Sequence, residues 1–229
     1  MRDRSKEVES NQAGIHEDLE ADVLRYLNSE YRRPVAEHTR AAFAEASAFA
    51  AKFNAPVVLD SGCGTGESTA VLAYKFKDSP VIGIDKSEER LSKGRTSNLP
   101  PNAMLLRAEL LDFWRLALDA HWNVAYHALY YPNPWPKQAQ LGRRFHAHPI
   151  FPTLLRLCPD IELRTNWEIY AREFEMACRI AFPRLGIVRI PVLEEYHPSV
   201  PETAFERKYM ASGHRLWRVR LLVRRTVNS

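Results

Sequence analysis

The chain has 229 residues, a length that fits one sizeable α/β domain and excludes two ordinary domains with separate cores. Hydrophobic residues make up 45% of the sequence, which is enough for a real core. The net charge of +4, from 32 Lys and Arg against 28 Asp and Glu, excludes a polycation.

The N-terminal part of the chain divides into a polar segment and two predicted helices. Residues 1–17 contain scarcely any apolar residue to bury, so we expect a flexible tail. Apolar residues then recur at helical spacing from Leu19 until Pro34 interrupts the pattern. A second, alanine-rich helix is predicted from Val35 to Phe53, which makes residues 18–54 a helical lead-in.

The remainder alternates short apolar runs with helical patterns, which is typical of a parallel sheet covered on both faces. Strands are predicted near 56–61, 80–84, 103–107, 123–131, 160–165, 186–193 and 214–224. Helices are predicted near 66–77, 87–95, 110–118, 146–157, 167–182 and 202–212. No repeat or linker divides this series. We therefore expect residues 18–229 to form one α/β domain with a seven-stranded, mainly parallel sheet flanked by helices.

A glycine-rich turn follows the first predicted strand. The run Ala55–Asp60 has the pattern of a buried strand, and Gly62, Gly64 and Gly66 follow it before a helical stretch. Glycines at these positions let the backbone turn sharply and approach a ligand closely. The dinucleotide spacing G-x-G-x-x-G would need glycine where the chain has Glu67, so NAD is a minor alternative.

An acidic residue follows the second predicted strand. Asp85 stands where the ribose hydroxyls of an adenosine would meet a carboxylate, and its other possible role is the N-cap of the next helix. With this acid, the strand and the glycine spacing, the chain resembles the Rossmann-like class I S-adenosylmethionine-dependent methyltransferases. The resemblance implies that Asp60 lies near the methionine moiety and the sulfonium. It also implies that Glu109 lies beside the adenine, although a solvated carboxylate at a helix start is an equal alternative.

A proline-stiffened segment, Tyr131-Pro-Asn-Pro-Trp-Pro-Lys137, follows the fourth predicted strand. In an open α/β sheet this position points into the ligand crevice. The segment resembles the FPDPW-x-K signature of the bacterial tRNA (guanine-N7) methyltransferase family. Four further pieces agree in order and spacing: Arg143-Arg144, Pro149-x-Phe151, Leu163-Arg-Thr-Asn-Trp-Glu-x-x-Tyr170 and Thr203-Ala-Phe-Glu206.

This resemblance implies methyl transfer from S-adenosylmethionine to N7 of a guanine in tRNA. It implies that the cofactor is bound by Asp60, Gly62, Gly64, Gly66, Asp85, Glu109 and Asn133. Of these, Asn133 is the catalytic position between cofactor and base. It implies that the RNA substrate is bound by Lys137, Arg143, Arg144, Asn166, Thr203, Ala204, Phe205 and Glu206. The two arginines would approach phosphates, unless they only begin an exposed basic helix. The sequence does not distinguish a monomer from a homodimer.

Asparagine stands at two positions, Asn133 and Asn166, where the family pattern has aspartate. Guanine N7 carries a free lone pair, so its methylation needs alignment more than a base, and Glu206 would be the remaining acid near the substrate. Two other interpretations stay open. One is a methyltransferase redirected to another base or a small metabolite, because Asn133-Pro134-Trp135 also resembles the N-P-P-Y/F/W element of amino-methyltransferases. The other is a catalytically weak RNA-binding relative.

The expected location is the cytoplasm, and we expect neither a metal nor a membrane segment. Three widely spaced cysteines predict no disulfide framework and no paired-cysteine metal site. The histidines have no metal-site context. The N-terminus is charged where a signal peptide would be apolar, and no apolar run reaches the ~18 residues of a membrane span.

Overall fold

Seven strands form one sheet in the computed structural model, which describes residues 5–95, 99–158 and 160–223. They are β1 (Val57–Ser61), β2 (Val81–Asp85), β3 (Ala103–Arg107), β4 (Val124–Tyr130), β5 (Ile161–Thr165), β6 (Arg189–Glu195) and β7 (Trp217–Val223). Their spatial order is β3-β2-β1-β4-β5-β7-β6. Neighbours from β3 to β5 are parallel, and β7 is antiparallel to both β5 and β6. The predicted seven-stranded, mainly parallel sheet is confirmed; residue 224 of the last predicted strand lies outside the described residues.

Helices connect these strands and precede them. They are α1 (Leu19–Leu27), α2 (Glu37–Ala50), α3 (Glu67–Lys75), α4 (Glu88–Arg95), α5 (Leu110–Asp119), α6 (Phe151–Leu157), α7 (Glu168–Leu185) and α8 (Ala204–Ala211). Within the described ranges, none of the helices is both long and apolar enough to cross a membrane.

The largest error among the predicted helices concerns α6, which starts at Phe151 instead of near residue 146. Two short 3-10 turns, Gln138–Arg143 and Phe145–Ala147, occupy the preceding stretch. Pro152 lies in the first turn of α6, where its missing N–H has no helical partner in any case. Pro152 therefore marks the start of α6, and the residues before it form the two 3-10 turns instead of an α-helix.

Three of the strands that carry the site are buried along their whole length, which explains their continuous apolar runs. Every residue of β1, β2 and β5 is buried. Because β3, β2, β1, β4 and β5 are neighbouring parallel strands, their carboxyl ends lie along one edge of the sheet. In this arrangement Asp60 pairs with Gly83 on one side and with Ala128 on the other. The segments that follow these strands therefore meet at that edge.

The N-terminal arm, residues 5–17, packs against the domain. Gln12 is only 6% exposed and donates a hydrogen bond to buried Glu173 on α7. Ser10 Oγ donates to the Pro136 carbonyl over 2.6 Å, and Asn11 Oδ1 accepts from the Gln138 N–H over 3.1 Å. The prediction of a flexible tail is therefore wrong for the arm, since its polar groups are satisfied by residues distant in sequence. Residues 1–4 of the predicted tail lie outside the described residues.

Candidate active site

The glycine loop, residues 62–66, joins β1 to α3. Gly62, Gly64 and Gly66 have φ values of +81°, +59° and +80°, in the left-handed region that favours glycine. Among the described residues, a Cβ at Gly62 or Gly64 would meet nothing within 4 Å, whereas a Cβ at Gly66 would come within 2.7 Å of the Leu105 side chain. The first two glycines thus present bare backbone to open space, and the third allows close packing of α3 on the sheet. This cradle fits a ligand such as S-adenosylmethionine.

Asp60 lies beneath the glycine loop and is only 1% exposed. One carboxylate oxygen accepts hydrogen bonds from Ser68 Oγ over 2.7 Å and Thr69 Oγ1 over 2.6 Å, both on α3. Burial raises the pKa of Asp60 to about 6, although these two hydrogen bonds oppose the shift. Asp60 therefore ties β1 to α3, and its predicted place near the sulfonium stays a prediction.

Asp85 braces the glycine loop from the end of β2. Its Oδ2 accepts from the Gly64 N–H over 3.0 Å, and its Oδ1 accepts from the Ser87 N–H over 2.8 Å. Arg90 lies 3.2 Å from the same carboxylate. Because α4 starts only at Glu88, Asp85 is too early to be its N-cap. The aspartate therefore joins two neighbouring strand ends at the place predicted for a ribose.

Glu109 follows β3, two residues after its last residue, on the same edge as Asp85. It is half-buried, and its N–H donates to Thr39 Oγ1 over 3.1 Å. Its carboxylate caps no backbone N–H of α5. Within residues 5–95, 99–158 and 160–223 this carboxylate has no ion-pair partner, so it is available to a ligand.

The proline turn, residues 131–137, follows β4 and contains two unusual backbone conformations. Tyr131 and Trp135 have φ values of +53° and +46°, which cost bulky residues of order 1–3 kcal/mol and therefore need support from the surroundings. Tyr131 OH donates to Glu206 over 3.1 Å. Asn133 at the tip is exposed, and its Oδ1 accepts from the Trp135 N–H over 3.3 Å. Its amide nitrogen has no partner among the described residues.

Arg144 supports the proline turn from inside the protein. The guanidinium donates to the Trp135 carbonyl over 3.2 and 3.0 Å and forms an ion pair with Glu173. It also lies 4.8 Å from the centre of the Trp167 ring. Its side chain is 0% exposed, so the prediction that Arg144 approaches phosphates is wrong. Its neighbour Arg143 is exposed and lies over the Trp135 ring at 4.7 Å, where it can meet a phosphate.

Glu173 is a central residue of the site that the sequence analysis missed. Its carboxylate accepts hydrogen bonds from Arg144, His146, Gln12 and the backbone N–H of His16. Burial raises the pKa of Glu173, but the hydrogen bond from His146 and the charge of Arg144 outweigh this and lower it to about 2. One buried carboxylate thus connects α7, the N-terminal arm and the support of the proline turn.

The start of α8 is fixed by buried polar groups. Thr203 Oγ1 caps the helix by accepting from the Glu206 N–H over 2.9 Å, and Thr203 is 7% exposed. Glu206 is 0% exposed and accepts from Arg164 Nη1 over 2.8 Å. The prediction that Glu206 faces the substrate as the remaining acid is wrong, because its charge is enclosed and paired. Ala204 and Phe205, between these two residues, are exposed.

Asn166 follows β5 at the same edge of the sheet and is half-buried. Its Nδ2 lies 3.2 Å from His214 Nδ1. His214 was not predicted from the sequence, because only the fold brings it to Asn166. Lys137, at the end of the proline turn, is exposed. The predicted residues that remain accessible to RNA are therefore Lys137, Arg143, Asn133, Asn166, Ala204 and Phe205.

Comparison with known proteins shows what the chain is similar to. Residues 58–147 match a family model described as a methyltransferase domain. The chain is 30% identical over 174 residues to a tRNA (guanine-N(7)-)-methyltransferase of Saccharophagus degradans, an alignment that covers 72% of this chain and 74% of the relative. A protein of the same name from Leifsonia xyli subsp. xyli is 28% identical over 170 residues, which cover 71% of this chain and 74% of the relative.

A solved structure, the 16S rRNA methyltransferase KamB, shares the fold. Its TM-score is 0.53 at 16% identity, over 83% of this chain and 95% of KamB. This likeness shows a Rossmann-like class I methyltransferase fold. The chain belongs to the tRNA (guanine-N(7)-)-methyltransferase family and is an S-adenosylmethionine-dependent methyltransferase.

Proposed function

We propose that this enzyme transfers the methyl group of S-adenosylmethionine to N7 of a guanine in tRNA. The observation that carries the proposal is the position of the glycine loop beside the proline turn. These segments follow β1 and β4, which are parallel neighbours with Asp60 opposite Ala128. A cofactor on the first segment and a base beside the second therefore share one crevice.

The cofactor-binding residues in this proposal lie along one edge of the sheet. Gly62 and Gly64 contribute open backbone, and Gly66 sets the start of α3. Asp85 holds the ribose hydroxyls while it braces the loop, and Glu109 lies beside the adenine. Asp60 acts from below through its charge. These roles are supported by the open cradle and by the Glu109 carboxylate, which has no ion-pair partner among the residues that the structure describes.

S-adenosylmethionine, when bound, supplies an electrophilic methyl group on a sulfonium. Guanine N7 already has a free lone pair, so the protein aligns the two groups and removes no proton before transfer. Asn133 at the tip of the proline turn lies between cofactor and base, where its amide contributes a dipole to the crevice. Asn166 offers hydrogen bonds to the edge of the guanine that carries N1–H and the exocyclic amine.

The tRNA would be held by the exposed residues around the crevice. Arg143 and Lys137 meet phosphates, and the exposed ring of Phe205 offers an apolar surface to a nucleotide. We also propose a cytoplasmic location, because the proposed substrate is tRNA. Redirection to another acceptor and a non-catalytic role are less favoured, because the curated relatives share one activity in their name.

Methylation of unmodified tRNA tests the proposal. Purified enzyme, labelled S-adenosylmethionine and unmodified bulk tRNA should yield labelled 7-methylguanosine after digestion and mass spectrometry. A different methylated nucleoside would favour redirection. Tight cofactor binding in calorimetry without any methylated nucleoside would reject the proposed activity.

Two arginine variants make the test specific for the crevice. Arg143→Ala removes an exposed cation beside the proline turn and should raise KM for tRNA. Arg184→Ala removes an exposed cation at the far end of α7, near the opposite edge of the sheet, and should leave KM unchanged. Equal changes of KM in the two variants would show that tRNA does not bind preferentially at the crevice.

A further inference from the structure

His214 lies between α8 and β7 and is held by three different groups. Its ring stacks on the ring of Tyr209, with centroids 5.2 Å apart and 17° between the planes. Its Nε2 lies 3.0 Å from the carbonyl oxygen of Ser5 in the N-terminal arm. Its Nδ1 lies 3.2 Å from Asn166 Nδ2. The stack and the two hydrogen bonds together fix the orientation of the ring.

The two hydrogen bonds also define which ring nitrogen carries the proton. A carbonyl oxygen only accepts, so His214 Nε2 must donate to Ser5. In a neutral imidazole the other nitrogen accepts, which makes Asn166 Nδ2 the donor to Nδ1. The Asn166 carbonyl oxygen then has no partner within the part of the chain that the structure describes. It is left as an acceptor for another molecule.

We propose that His214 is a positioning residue that fixes the Asn166 amide so that its carbonyl oxygen is offered to the substrate base. The inference rests on the proposed function, in which Asn166 contacts the guanine. The guanine edge carries donors at N1–H and the exocyclic amine, whereas adenine has an acceptor at N1. A fixed carbonyl oxygen therefore selects guanine, because adenine would leave it facing an acceptor.

The proposal depends on a difference between an amide and a carboxylate. An amide has one acceptor end and one donor end, so a rotation by half a turn exchanges them. A carboxylate has two equal acceptor oxygens. His214 is therefore needed while residue 166 is asparagine and becomes dispensable for orientation when Asn166 is replaced by aspartate.

A double-mutant cycle between positions 166 and 214 tests this dependence. His214→Phe keeps a ring that can stack on Tyr209 and removes both nitrogens. We expect kcat/KM for tRNA methylation to fall about tenfold or more in the Asn166 protein and by less than about twofold in the Asn166→Asp protein. His197→Phe, at an exposed histidine on the β6–α8 connection, is the matched control and should leave kcat/KM unchanged. Equal losses in both backgrounds would overturn the proposal.

The protonation of His214 provides a readout that does not depend on activity. In ¹⁵N-labelled wild type near neutral pH, we expect a protonated Nε2 and an unprotonated Nδ1. A protonated Nδ1 would need the Asn166 carbonyl as its partner and would overturn the proposal. If the expected form is found but no 7-methylguanosine is made, the proposed function fails while the fixed Asn166 amide stands.

Discussion

The two halves of the crevice are held together in different ways. In the cofactor half, formed by β1–β3 and the glycine loop, Asp60 binds Ser68 and Thr69, which are 8 and 9 positions away. In the base half, formed by the proline turn and its supports, Gln12 binds Glu173 across 161 positions. Local contacts build the cofactor half, whereas distant parts of the chain meet to build the base half.

The base half depends on a fully buried ion pair between Arg144 and Glu173. The strained turn at Tyr131 and Trp135 needs partners from outside its own segment, and Arg144 supplies hydrogen bonds to it. Arg144 in turn needs the Glu173 carboxylate, because a buried unpaired charge is strongly destabilising. We therefore expect loss of these charges to abolish base binding while the cofactor half still binds its ligand.

The largest expected effect comes from Arg144→Ala. The change leaves Glu173 without its cationic partner at a site with no exposed surface, and breaking a buried pair in this way costs about 3–5 kcal/mol. Urea unfolding should measure this loss, and methylation should fall below detection. Arg143→Ala, one residue away and exposed, should stay within about 0.5 kcal/mol of wild type. Similar losses in both variants would remove the distinction between the two arginines.

Glu173 also makes the base half sensitive to acid. Its pKa of about 2 in the folded protein lies below its ordinary value of 4.5, because His146 and Arg144 outweigh the effect of burial. The stabilisation is therefore complete above the ordinary pKa and is lost as the pH falls through about 2. Glu173→Gln should remove about 3 kcal/mol of this pH dependence, as measured by urea unfolding at a series of acidic pH values. An unchanged profile would contradict the assignment.

Two glycine substitutions should separate stability from ligand binding in the cofactor half. Gly66→Ala brings a Cβ against Leu105 in a left-handed conformation, so we expect a loss of about 1–3 kcal/mol in unfolding experiments. Gly64→Ala meets no neighbour among the described residues and should cost only about 1 kcal/mol, yet it covers bare backbone and should weaken cofactor binding about tenfold in calorimetry. If Gly66→Ala and Gly64→Ala changed stability and cofactor affinity by the same amounts, this would argue against a ligand at Gly64.

The sequence predicted the backbone structure of the cofactor half well because its signals are local. A buried strand, three glycines and an acid after the next strand occur within residues 55–85, and their geometry follows from backbone conformation. All seven strands were placed, mostly within a few residues. The order of the strands in the sheet was not predicted from the sequence and is seen only in the structure.

The base half was predicted less well because a charged side chain in a sequence is expected to be exposed to solvent. Lys, Arg, Asp and Glu are almost never fully buried unless they are paired, and pairing is invisible in a single sequence. Arg144 and Arg143 look alike in the sequence, although only the second reaches solvent. The position of Glu173 on the apolar side of a helix, between Tyr170 and Phe174, was the one available signal. The packing of the N-terminal arm left no such trace.

The arm should contribute to the base half by a smaller amount. Gln12→Ala removes hydrogen bonds to both Arg144 and Glu173 but leaves their ion pair intact. We expect the free energy of unfolding, measured in urea, to fall by about 1–3 kcal/mol. The Arg144–Glu173 ion pair is retained, but each of its two members loses one hydrogen-bond partner. Hydrogen exchange of the Gln138 N–H should accelerate as the arm loosens. Glu9→Ala, at an exposed position of the same arm, should change stability by less than about 0.5 kcal/mol.

The smallest expected effect concerns the surface of the base half. Arg143→Ala leaves the buried supports intact, so stability, cofactor binding and the rate with saturating tRNA should all be preserved. If Arg143 neutralises one phosphate, the slope of log affinity against log salt should become shallower by about 0.7–0.9 for this variant. Filter binding across a salt series measures this slope, and Arg184→Ala should reproduce the wild-type value. A slope that stays unchanged in Arg143→Ala would mean that the accessible arginine, like its buried neighbour, makes no phosphate contact, and that RNA meets another face of the base half.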